Sequence, residues 1–99
     1  MDNALKLLIT TLIQAGYRIV ESKSGNGFNV WGTEMIGLDE STDISKYQRL
    51  ADDAGIAISK MPTSAEYPDT PFHLWCGVSK VNNTDRLMTA ARTIDGVVQ

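Results

Sequence analysis

The chain contains an internal echo. Ala15-Gly16-Tyr17-Arg18-Ile19 returns as Ala54-Gly55-Ile56-Ala57-Ile58, and Phe28-Asn29-Val30-Trp31 returns as Phe72-His73-Leu74-Trp75. Each echo follows a run with helical periodicity. In the first run Leu5, Leu8, Ile9, Leu12 and Ile13 fall on one helical stripe. In the second, Ile44, Tyr47, Leu50, Ala51 and Ala54 do the same. Laid on each other, the stripes match Leu5 with Ile44, Leu8 with Tyr47, Leu12 with Ala51 and Ala15 with Ala54. The chain therefore reads as two helix–strand–strand units followed by a third helix. Amphipathic helices ending in Ala-Gly are common, so the first echo alone is weak. The element order stands without it.

Helices are expected near residues 3–15 and 43–54, the first capped by Asp2 or Asn3. Gly16 and Gly55 sit where glycine most easily adopts the left-handed stop. The third helix carries its stripe on Leu87, Met88, Ala91 and Ile94, with Asn83 or Thr84 as cap. Ser24-Gly25-Asn26-Gly27 joins residues 17–22 to 28–31 as a tight hairpin turn. Ile56–Met61 and Phe72–Val81 read as the second pair of strands, separated by a loop that holds all three prolines. The pattern predicts one α+β domain over residues 1–99, with an antiparallel sheet of four or five strands and helices packed on one face. Two helix–strand–strand units also form a circular permutation of the ferredoxin-like order. If Thr33–Leu38 adds a strand, the order resembles that of the small dimeric secretion chaperones: helix, three strands, helix, two strands, helix. The likeness is one of element order alone and implies a homodimer.

Alternation along strands sorts the side chains into two faces. One carries Tyr17, Ile19, Phe28, Val30, Ile56, Ile58, Phe72, Leu74, Cys76 and Val78, apolar enough to be the core. The other carries Arg18, Val20, Asn29, Trp31, Ala57, Ser59, Met61, His73 and Trp75. If the helices cover the apolar face, this mixed one is directed to solvent. It holds both tryptophans and the single histidine. Trp and Met are enriched in the centres of protein interfaces. Trp31, Trp75, Met61, His73, Arg18 and Val20 are therefore the expected partner-binding residues. The alternative is a small additional core, with the third helix or Thr33–Leu38 folded over both indoles.

Composition narrows the chemistry. The formal charge is −3, so affinity for nucleic acid through cations on phosphates is not expected. The acidic groups Asp39-Glu40 with Asp43, and Asp52-Asp53, are candidate contacts for a basic partner; the former equally suits a helix start. One cysteine excludes an intrachain disulfide and fits a reducing, cytoplasmic setting. No secretory or membrane-spanning run is evident. One histidine and one cysteine do not make a zinc site, and the acidic run lacks the spacing of a calcium loop. His73 and Cys76 alternate to opposite faces, which separates base from nucleophile. The glycines of residues 24–27 join two strands, whereas phosphate loops lead into a helix. No catalytic residue, metal or cofactor is expected. The sequence points to a non-enzymatic protein-binding module, an adaptor or inhibitor of a larger assembly. Small acidic inhibitors encoded by phages and mobile elements share this size and lack of motifs. A chaperone-like dimer is the next reading, and a small-ligand binder or enzyme the third.

Overall fold

The computed structural model describes residues 3–63, 71–77 and 81–98, with the backbone alone for 81–84. The elements follow as α1 (Asn3–Gln14), β1 (Arg18–Glu21), β2 (Gly27–Trp31), α2 (Ser45–Ala54), β3 (Ala57–Pro62), β4 (Phe72–Gly77), α3 (Val81–Arg92) and β5 (Val97–Val98). The sheet order is β3-β4-β2-β1-β5. All three helices contribute to a single apolar core on one face of that sheet. This is the α+β architecture expected from the residue pattern.

The core is the face that alternation selects. Leu5, Leu8, Ile9 and Leu12 of α1 are fully buried, as are Ile19, Phe28, Val30, Leu74 and Cys76 of the strands. Leu87, Met88, Ala90 and Ala91 bring α3 into the same cluster. Tyr17, just before β1, meets Tyr47 of α2 edge to face, with centroids 5.8 Å apart. Gly55 ends α2 in the left-handed conformation at φ 75°, its N–H donating to the Ala51 and Asp52 carbonyls. Gly16 follows α1 with φ 103°.

The sheet carries the echo into three dimensions. Central strands β2 and β4 pair antiparallel with Val30 opposite Leu74. These two residues are themselves echo partners. By the echo, Trp31–His73 and Trp75–Asn29 are then matching cross-strand pairs on either side of the Val30–Leu74 pair. The outer strands break this symmetry by two residues: Arg18 pairs with Trp31, whereas Ser59 pairs with Trp75.

Three expectations change, and the open reading of Thr33–Leu38 closes. Thr33–Leu38 is not a strand. It bends back, with the Thr33 N–H on the Ile36 carbonyl at 2.8 Å, and sends Leu38 into the core. The chaperone-like order, which needed a strand there, is not formed. The run Phe72–Val81 does not continue as one strand: β4 ends at Gly77 and Val81 already belongs to α3. Asn83 and Thr84 consequently lie inside the helix and do not precede it. The fifth strand comes from the chain after α3, and Val97–Val98 pairs parallel with β1, making the sheet mixed. The expected cap by Asp2, the Val78 end of the strand and most of the proline-bearing loop lie outside the described residues.

Candidate functional site

The sheet face opposite the helices is a grid set by strand register. Its first row reads Arg18, Trp31, His73, Met61. The next reads Val20, Asn29, Trp75, Ser59, with Val98 of β5 beside Val20. The third holds Gly27, Gly77 and Ala57. The six expected partner-binding residues thus share one surface. None of the described helices covers it, and Thr33–Leu38 turns to the core side instead.

Both indoles are half-buried. Met61 and Val98 are 44% and 42% exposed, so the surface has apolar margins on both sides. The two rings are held differently. Trp75 lies over the third row: a methyl group added at Gly77 would stand 2.7–3.0 Å from its Nε1, Cε2 and Cζ2. At Gly27 a methyl would meet Cη2 and Cζ2 at 2.8 and 2.9 Å and would run into the Cys76 carbonyl. Two bare backbone positions therefore form the seat of this ring. Trp31 instead stacks on His73, with centroids 4.7 Å apart and planes inclined by 29°.

His73 is fixed by this stack and by a 3.1 Å hydrogen bond between its Nδ1 and the Thr63 hydroxyl. Partial burial holds its pKa below the usual imidazole value, which favours the neutral ring. Cys76 is fully buried on the other face, and burial pushes its thiol up to about 12. A thiol protonated and sealed from solvent is a poor nucleophile, and it cannot meet His73 across the sheet.

A groove of about 560 Å³ runs off the aromatic grid beside β1. It is lined by Arg18, Val20, Glu21, Ser22, Lys23, Asn29, Trp31 and Gly32. The Glu21 carboxylate is bridged by Arg92 of α3, Nη2 to Oε1 at 2.7 Å. That bond and the attraction of Glu21 also raise the Arg92 pKa. Another groove, of about 450 Å³, lies between the 32–39 bend and Pro71-Phe72.

The acidic candidates Asp39, Glu40 and Asp43 lie in the loop before α2, and Asp52 and Asp53 lie in α2. Asp39 Oδ1 accepts hydrogen bonds from the N–H and hydroxyl of Ser41 and from the Thr42 hydroxyl. Asp43 Oδ1 does the same for Ser45 at the start of α2. These bonds hold both carboxyls below their usual pKa. Lys60 fastens the loop to β3 by donating to the Glu40 and Thr42 carbonyls, each at 2.7 Å. Asp39 and Asp43 therefore build their own loop, while Asp52 and Asp53 are exposed near the end of α2. No group of three or more His, Cys, Asp or Glu placed to hold a metal occurs among the described residues.

Sequence reasoning found the grid but not its seat. Gly27 and Gly77 carry no side chain to mark a site, and their role follows only from the register that brings them under Trp75. Lys23 and Glu21 join the surface through the hairpin turn and the groove, which alternation does not describe. No protein-family model matches the chain, and neither a curated protein nor a solved structure is significantly similar to it. No described helix is long and apolar enough to cross a membrane.

Proposed function

We propose that the protein works without catalysis, by binding another protein through the helix-free face of its sheet. In this role it serves as an adaptor or inhibitor of a larger assembly. The observation that carries this reading is the shared grid. Two partly buried tryptophans, a stacked histidine and flanking apolar residues share one surface on the side that the helices leave bare. Apolar patches of this kind on small proteins commonly mark interaction sites, and tryptophan is a frequent anchor. The carboxylates of Asp39 and Asp43, committed to their own loop, fit a structural role better than a further contact.

The test uses Trp31→Ala, because Trp31 borders the groove and rests on a side chain rather than on bare backbone. Wild-type and variant protein are immobilised and exposed to lysate of the native host. Captured proteins are then purified and titrated against both forms. The proposal expects a directly binding partner whose affinity falls at least tenfold for the folded variant. A partner bound equally well by both forms, or binding mapped by NMR to the helix layer, refutes it.

A further inference from the structure

The groove beside β1 has a charge that the chain as a whole does not. The protein carries −3, yet the cations Arg18 and Lys23 both line this groove and both are solvent-exposed. Among the described residues its one acidic lining residue, Glu21, is bridged by Arg92 at 2.7 Å. Trp31 and Val20 supply an apolar floor between the cations, and Asn29 adds an amide. Asp39 and Asp43 are bound into the loop before α2, Asp52 and Asp53 lie near the end of α2, and Glu34 lines the other groove. A basic partner would therefore meet like charge at the aromatic face, and an acidic one would meet opposite charge.

Building on the binding reading above, we propose that the groove takes a short acidic peptide segment of the partner. Its carboxylates lie against Arg18 and Lys23, and an aromatic or aliphatic side chain packs on Trp31. The two cations flank an apolar floor, so charge and packing act on neighbouring residues of one segment. Single-stranded nucleic acid would use the same ring faces, but its affinity rests on a track of phosphate-binding cations. Among the described residues this face supplies Arg18 and Lys23, enough for a short acidic segment.

The test is a titration of the full chain with three capped heptapeptides. Each has one central phenylalanine, flanked on both sides by paired acidic residues, paired lysines or paired serines. Tryptophan fluorescence gives affinity and amide NMR shifts give location. The acidic peptide is expected to bind at least about fivefold more tightly than the serine peptide, with shifts centred on Arg18, Lys23 and Trp31. Its affinity should fall severalfold when salt is raised from about 50 to 500 mM. Arg18→Glu combined with Lys23→Glu, both at exposed positions, should weaken it about tenfold and favour the lysine peptide. Equal binding of acidic and serine peptides at this face overturns the charge inference while leaving the binding face in place. A preference for the lysine peptide, or shifts elsewhere, also overturns it. So does tight binding of a thymidine oligonucleotide where the acidic peptide fails, or self-association that buries the groove. Failure of every peptide beside a captured partner that still depends on Trp31 rejects this inference alone.

Discussion

Trp31 and Trp75 occupy the same place in the two halves of the sheet, one step to either side of the Val30–Leu74 pair, yet their surroundings differ. Trp75 lies on Gly27 and Gly77, where the backbone itself is the contact surface. Trp31 leans on His73 and opens onto the Arg18–Lys23 groove. Identical register does not produce identical roles, because the row beneath each ring decides how the ring is held. One indole is built into the sheet, and the other borders the Arg18–Lys23 groove.

That contrast predicts an order of effects. Gly27→Val should be the most damaging change, since the new side chain meets the Cys76 carbonyl and the Trp75 ring together. A loss of about 3 kcal/mol, or roughly 15 °C in Tm, is expected by calorimetry. Trp75→Ala removes the ring from the same seat and should cost about 2 kcal/mol, less than a fully buried tryptophan because the ring is half-exposed. Trp31→Ala should cost under about 1 kcal/mol, by loss of one cross-strand aromatic pair. A larger stability loss for Trp31→Ala than for Trp75→Ala in denaturant titrations would break the comparison.

The smallest effect concerns pH. His73 has a folded pKa below its ordinary 6.5 because burial disfavours the charged ring. Below about 6.5 the unfolded chain takes up this proton first, so protonation favours unfolding. The associated stability is intact above 6.5 and is lost as pH falls through the folded value. Melting curves across that window should show a decline in Tm that His73→Gln abolishes once the acidic residues' background is subtracted. As the chain has a single histidine, NMR titration of its ring assigns the effect directly. An imidazole titrating above 6.5 in the folded protein would contradict the partial burial and weaken the account of Trp31.

How much of this was legible differs from element to element. Alternation placed Ile19, Phe28, Val30, Ile58 and Leu74 inward, and hence Trp31 and Trp75 outward, because a strand has only two sides. Thr33–Leu38 stayed open for a related reason. Ile36 and Leu38 are apolar and alternate, as strand residues do, but here they dip into the core from a bend closed by Thr33 and Ile36. The limit of β4 was hidden because Val78 continues the inward alternation of Phe72, Leu74 and Cys76 beyond Gly77. Two residues, Val97 and Val98, are too few to carry any periodicity, so β5 shows itself only through pairing with Ile19 and Val20. The groove was equally hidden, since it joins a turn, two strands and a bridge from Arg92 to Glu21.

The pairing of Val30 with Leu74 has a consequence for self-recognition. Because Val30 faces its own counterpart Leu74, strand β2 has the register of a self-complementary edge: against another β2 it would set Val30 opposite Val30, and Trp31 opposite Asn29.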